Sequence, residues 1–282
     1  MLQFLSVNSQ MIELLKQLTP PLVLKLLKQR VFPSPLIYKS YEDALHACKN
    51  ITYESDDIVK VVVEKNLEFS KKIRAGIVLD ISMLRTLIGV GLANSNDRLN
   101  VLDFGGGAGY HYQLAKAALG NSMNLTWNIV ETAAMAKECK RIADINLNFF
   151  CSISEAKRNS GFVDLVFTSS ALQYCPEPLA YLKELTEVGA KYIFITRTPL
   201  NDSAEAIIST QRSKLSTNGP GSLPDGFIDK NVSYPITFTS KAEFEKVLKK
   251  YYDIRFVISE DKAVFRVENH HMDMYGYFCV LR

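Results

Sequence analysis

The run Val101-Leu102-Asp103-Phe104-Gly105-Gly106-Gly107-Ala108-Gly109 constrains this chain more than any other segment. An apolar stretch enters a cluster of glycines, and a helical pattern follows from Tyr110 or His111 to Leu119. Glycine lets the backbone turn sharply and lets a ligand approach where a Cβ would stand in the way. The helix behind the turn presents N–H groups with no partner inside the helix. Strand, glycine turn and helix in that order form the opening unit of a doubly wound α/β sheet.

The glycine spacing narrows the ligand. A dinucleotide fingerprint needs glycine at the first, third and sixth positions, and the sixth position from Gly105 is Tyr110. A P-loop needs Gly-Lys followed by Ser or Thr, which is absent here. Gly105, Gly107 and Gly109, with Gly106 between them, match the tighter alternating loop of S-adenosylmethionine enzymes. Asp103 ends the strand beside the loop, where its carboxylate can accept from loop amides or face the cationic methionine end. Glu131 follows the second strand, Trp127-Asn128-Ile129-Val130, where a carboxylate can accept from ribose hydroxyls. Ser152 and Ile153, after the third strand, would flank an adenine ring.

The rest of the chain suits that fold. Short apolar runs at Leu99–Leu102, Leu125–Val130, Leu147–Phe150, Val163–Phe167 and Tyr192–Ile195 alternate with helical stretches. This argues for a parallel sheet covered on both faces. Upstream, residues 1–96 read as a helical region. It holds two short helices over 11–31 broken at Pro20-Pro21, helices at Tyr41–Lys49 and Asp56–Arg74, and a further one on which Ile77, Ile81, Leu84 and Ile88 recur. The second of the two short helices is basic and amphipathic, which permits weak peripheral contact with a membrane or packing on its own domain. The binding domain is expected over 97–282, with a polar, lid-like insertion at about 200–238. Ser240 and Glu243 predict a capping box opening a helix over Lys241–Lys250. Ile254–Ile258 and Tyr275–Leu281 read as closing strands.

Composition excludes several classes. A net charge of +3, with Lys and Arg spread along the chain, gives no basis for nucleic-acid binding. No apolar run approaches the roughly 18 residues that span a bilayer. The five cysteines form no CxxC pair and are odd in number, so neither a disulfide framework nor a zinc knuckle is suggested, and a reducing cytoplasm is expected. His270, His271 and Asp273 could suggest a metal, but adjacent residues rarely aim at one ion, so none is expected.

Ligands of a doubly wound sheet bind beyond the carboxyl ends of its strands. Thr168-Ser169-Ser170-Ala171-Leu172-Gln173-Tyr174 follows the fourth strand and would lie beside a reacting methyl group. Ser169 is assigned to the cofactor and Gln173 to substrate. Tyr174 is assigned to substrate or to catalysis. Arg197 ends the fifth strand in the same row and can pair with a phosphate or carboxylate, or simply with a neighbouring carboxylate of the chain. Gln211 and Arg212, in the insertion, are further substrate candidates.

These segments resemble class I S-adenosylmethionine-dependent methyltransferases, and in particular a bacterial subgroup linked to surface-polysaccharide and capsule gene clusters. The likeness is carried by Val101 to Gly106, Trp127 to Glu131, Ser170-Ala171-Leu172-Gln173-Tyr174 and Thr196-Arg197-Thr198-Pro199-Leu200. It is also carried by Tyr38 to Ala47 and Tyr275-Gly276-Tyr277-Phe278. It implies a Rossmann-like, mostly parallel, seven-stranded sheet whose last strand is antiparallel. It also implies S-adenosylmethionine as methyl donor, S-adenosylhomocysteine as product, and a sugar of a surface glycan or its nucleotide-linked precursor as acceptor. A non-sugar small-molecule acceptor, or a non-catalytic module that partners a glycan enzyme, are the alternatives. A hydroxyl acceptor needs a base. Of the four histidines, His111 behind the glycine loop is the first candidate and His271 the second, while His46 reads as a surface or core residue.

Overall fold

The structure is a computed structural model that describes residues 35–49, 55–76, 83–94, 98–120 and 124–282. The helices expected over 11–31, and the positions of Ile77 and Ile81, lie outside the described residues.

The apolar runs become five parallel strands: β1 (Arg98–Phe104), β2 (Asn124–Val130), β3 (Leu147–Phe150), β4 (Leu165–Ser169) and β5 (Tyr192–Asn201). They lie in the order β3-β2-β1-β4-β5. The last strand, β9 (His270–Leu281), runs antiparallel between β5 and β8 (Tyr252–Val267). This is the seven-stranded, Rossmann-like arrangement expected.

Both faces of the sheet are buried, which is why its strands read as continuous apolar runs. On one face Leu102, Phe104, Val130, Val166 and Ile193 pack with residues of α6 (Ile153–Ser160), α7 (Pro178–Glu187) and α8 (Lys241–Lys249). On the other, Leu99, Val101, Trp127, Phe167 and Phe194 pack with α3 (Leu84–Ala93) and α4 (Tyr110–Leu119).

The stretch read as a polar insertion contains a β-hairpin. β6 (Ile207–Lys214) pairs antiparallel with β7 (Asn231–Ser240). β4 stops opposite Thr196, and the vacated flank of β5 is taken further on by β7, at Leu200–Thr239 and Asn201–Ser240. Small polar residues alternating with few large apolar ones hid these strands. Pro235 hid them too, although β7 has a partner on one flank only over that stretch, a setting in which strands tolerate proline.

Two of the three N-terminal helices among the described residues hold this hairpin. α1 (Tyr41–Ala47) lies against it through Cys48 and Ser233, whose Sγ and Oγ are 3.3 Å apart. From α2 (Asp56–Arg74), the buried Lys65 donates to the carbonyls of Ser216 and Asn218 at 2.7 and 2.8 Å. Ile58 and Val62 of α2 join Ala108, Met135, Leu215, Val232 and Tyr234 in one apolar cluster.

Two local readings are corrected. The capping box at α8 does not form: Ser240 Oγ is buried without a hydrogen-bond partner and Glu243 pairs with Lys246. Ser240 is still a residue of β7, paired with Asn201, and its side chain makes no cap hydrogen bond to the helix. β8 and β9 also run far beyond the short segments read from sequence, as a two-stranded ribbon with register shifts. Much of β8 is exposed there, so no apolar alternation marks it.

α3 seats on β5 through Gly89, where a Cβ would stand 2.1 Å from Phe194 Cδ1. Gly89→Val is therefore expected to lower stability by about 2–3 kcal/mol through overpacking, since helix propensity separates the two residues by less than about 1 kcal/mol. An unchanged urea midpoint would show that α3 is not seated there.

Candidate active site

The loop after β1 is held in place by the neighbouring strand. Gly105 N–H donates to Val130 O at 2.9 Å. Its φ is +72°, and a Cβ there would lie 2.2 Å from the Cβ of Ala171. The segment after β4 thus packs on the loop with no space for a side chain between them. Glu131 closes the same loop from β2: Oε1 accepts from Gly107 N–H and Oε2 from Thr132 N–H, both at 2.9 Å.

Asp103 lies beneath the loop with no exposed surface. Its Oδ2 accepts from Trp127 Nε1 at 2.9 Å, and its Oδ1 has no hydrogen-bond partner. A Cβ on Gly106 would stand 2.4 Å from Oδ2, so Gly106 is glycine because the carboxyl is there. Burial pushes the Asp103 pKa up to about 8, with the Trp127 bond lowering it and the Glu131 charge adding to the rise. A buried carboxyl of this kind is complemented by a cation, which would favour its ionised form.

Beside the loop, a cavity of about 330 Å³ is lined by Arg85, Thr86, Tyr110, His111, Ser169 and Arg197. His111 begins the second residue of α4, 2.7 Å from Thr86 Oγ1 through Nδ1, with its ring 4.8 Å from that of Phe167. Burial and, less, the Arg197 charge push its pKa down to about 3, so the imidazole is neutral. Arg197 sits at a bulge in β5 with φ +55°, and its backbone N–H donates to Glu260 Oε1 at 2.8 Å. Glu260 Oε2 lies 2.6 Å from Arg85 Nε. Ser169 Oγ accepts from Thr196 Oγ1 at 2.9 Å.

Gln173 and Tyr174 stand on a short helical turn after β4, Leu172–Tyr174. Gln173 is buried; its Nε2 donates to Ser170 Oγ and its Oε1 has no hydrogen-bond partner. Tyr174 donates to Gln211 Oε1 at 3.0 Å, and burial raises its pKa, so the phenol stays protonated. The hairpin thus brings Gln211 to Tyr174.

Other expected residues serve elsewhere. Arg212 is exposed, and adjacent strand residues face opposite ways; the charge it exerts falls on Cys48 beside α1. His271 is exposed on β9, beyond the last β5–β9 pair at Leu200 and Asp273, away from the cavity. Ser152 caps α6 by accepting from Glu155 N–H, and Ile153 is buried in the core between α6 and the sheet. Arg85, Thr86, Tyr110 and Glu260 were not singled out. Glycine-loop logic says nothing about α3 or about a bulged ribbon, and no local signal links Glu260 to residues far away in the chain.

No known protein family matches the chain, and no curated protein matches it in sequence. Solved structures are similar to it at low identity. An S-adenosylmethionine-dependent methyltransferase from Clostridium acetobutylicum is 14% identical over 76% of this chain and 96% of that one, with a TM-score of 0.45. One from Aquifex aeolicus is 16% identical over 76% and 98%, with a TM-score of 0.38. Magnesium protoporphyrin IX methyltransferase from Synechocystis, with bound S-adenosylmethionine, is 15% identical over 81% and 98%, with a TM-score of 0.42. The fold assignment rests on the strand order itself.

The raised Asp103 pKa has a signed consequence. Its unfolded carboxyl ionises near pH 4 and its folded one near 8, so the stability associated with it is complete below about pH 4 and lost as pH rises to about 8. Asp103→Asn retains an acceptor for Trp127 and cannot ionise. The stability of the native chain relative to this variant should fall between pH 4 and 8 in urea denaturation, and a constant difference would rule out the raised pKa.

Proposed function

We propose that the chain is an S-adenosylmethionine-dependent methyltransferase that O-methylates a sugar of a surface polysaccharide or its nucleotide-linked precursor. The observation that carries the cofactor reading is the Glu131 carboxylate bound to the Gly107 N–H, at the ends of two adjacent parallel strands. This is the place where a doubly wound sheet receives a nucleoside, with an acidic side chain on the ribose. Three features fit the cofactor: the position of the Glu131 carboxylate at the loop, the absence of side chains at Gly105, Gly106, Gly107 and Gly109, and the unpartnered Asp103 Oδ1. Asp103 would complement the cationic methionine portion.

The cofactor supplies a methyl group on a sulfonium centre; the chain supplies alignment and proton handling. His111 is the proposed base. Its Nδ1 is held by Thr86, which leaves Nε2 as the nitrogen that takes the acceptor's hydroxyl proton. Tyr174, protonated and with its hydroxyl hydrogen committed to Gln211 Oε1, serves as a positioning group rather than a base. Ser169 serves the cofactor side of the cavity and Arg197 the acceptor side, with Gln173 nearby. Residues 97–282 would form the binding domain and residues 1–96 its helical addition. All five cysteines are free, which supports a reducing, cytoplasmic setting. No helix among the described residues is long and apolar enough to cross a membrane.

Calorimetry with S-adenosylhomocysteine tests the cofactor site. Glu131→Ala should weaken binding by about tenfold or more, the effect of losing hydrogen bonds to a charged acceptor; unchanged affinity would refute the placement. Methyl transfer from labelled S-adenosylmethionine to a nucleotide-linked sugar tests the acceptor. Binding without transfer to any small molecule would favour a non-catalytic partner, and transfer only to non-sugar compounds the other enzyme reading. His111→Ala should reduce turnover by about 100-fold while leaving cofactor affinity within about threefold. Equal losses in both would make it a binding residue.

A further inference from the structure

The cavity beside His111 receives guanidinium groups from two elements distant in sequence: Arg85 from α3 and Arg197 from the bulge of β5. One carboxylate organises both. Glu260 lies 2.6 Å from Arg85 Nε and accepts the Arg197 backbone N–H at 2.8 Å. Its side chain is only 2% exposed. Space for it is made by Gly276, where a Cβ would stand 2.8 Å from Glu260 Oε1 and 3.1 Å from Ile195 O.

This arrangement exceeds what an internal ion pair requires. A buried carboxylate needs one compensating cation, and Arg85 provides it. Among the described residues no carboxylate forms an ion pair with the Arg197 side chain. Arg197 is also kept at a positive φ, a conformation that is strained for a non-glycine residue and that clusters at functional sites. Beside a neutral His111, Arg197 thus brings to the cavity a positive charge that no carboxylate among the described residues pairs with.

We infer that this cavity is an oxyanion site, which takes a phosphate or carboxylate of the acceptor between Arg85 and Arg197 while His111 meets the neighbouring hydroxyl. The acceptor's role rests on the methyl-transfer reading; the binding of an oxyanion does not. Arginine presents forked N–H donors that match phosphate and carboxylate oxygens. Thr86 and Ser169 add hydroxyls to the lining. An oxyanion would also offset the Arg197 charge that disfavours a proton on His111, so the acceptor itself would make the imidazole a better base. Among the described residues, the charged and titratable groups that line the cavity with His111 are Arg85 on α3, Tyr110 on α4 and Arg197 on β5, with Glu260 of β8 against both arginines.

Calorimetry on the full chain with inorganic phosphate, glucose 1-phosphate and glucuronate tests this, with S-adenosylhomocysteine titrated into the same samples. Saturable binding of at least one oxyanion is expected, weakened about tenfold or more in Arg197→Gln and in Arg85→Gln. Preference for glucose 1-phosphate would identify a phosphate and preference for glucuronate a carboxylate; either sustains the proposal. Arg85→Gln leaves Glu260 buried without its cation and risks misfolding, so Arg197→Gln, at an exposed side chain, is the decisive variant. No saturable binding, or equal binding by Arg197→Gln, overturns the oxyanion site. Oxyanion binding that depends on Arg197 while S-adenosylhomocysteine fails to bind sustains the site and counts against the methyl-transfer reading alone.

Discussion

A carboxylate that spans from one strand to the turn of the next is the contact on which the site depends. Glu131 accepts from Gly107 N–H and Thr132 N–H and so ties the exit of β2 to the loop leaving β1. Two charge-assisted bonds in a half-buried place hold a loop that glycine alone leaves free. Parallel pairing of β1 and β2 in register, from Arg98–Asn124 to Phe104–Val130, brings the two exits level. Asp103 and Gly106 interlock beneath the loop, and Ala171 closes on Gly105 from the other side. The carboxyl ends of β1, β2 and β4 therefore form one surface, set by backbone pairing and by the absence of Cβ atoms at Gly105 and Gly106.

β5 does the corresponding work on the other side. Its first half is a core strand between β4 and β9, and its second half supports the β6–β7 hairpin. The change occurs at the bulge that carries Arg197. Bulges re-aim side chains next to functional sites, and this one places an arginine beside His111 while Glu260 holds its N–H. The hairpin turns Gln211 onto Tyr174 and gives α2 a surface to bury Val62 and Lys65 against. The N-terminal helices and the hairpin thus enclose the loop together.

Electrostatically the site separates two buried ionisable groups in opposite directions. Asp103 is driven toward its neutral form and His111 is kept neutral, both chiefly by desolvation. A cation on one side and an anion on the other would each restore an ionisation that burial suppresses. A methyl donor with a positive centre and an acceptor with an oxyanion have that pattern of charge.

The chain's local pattern determined the parallel core and the glycine-loop side of the candidate site. Apolar runs covered on both faces, glycines spaced through Gly109 and acidic residues at strand ends are local consequences of burial and backbone geometry, so they are written in consecutive residues. The hairpin and the long ribbon escaped that reading because exposed or small-residue strands carry no apolar period. Only the tertiary structure decided the cavity beside His111. It set His271 apart at the far end of β9, turned Arg212 outward, used Ser152 as a helix cap and Ile153 as core, and joined Arg85, Arg197 and Glu260. Their meeting depends on how α3, β5 and β8 pack, and charges that meet across such separations leave no trace in local spacing.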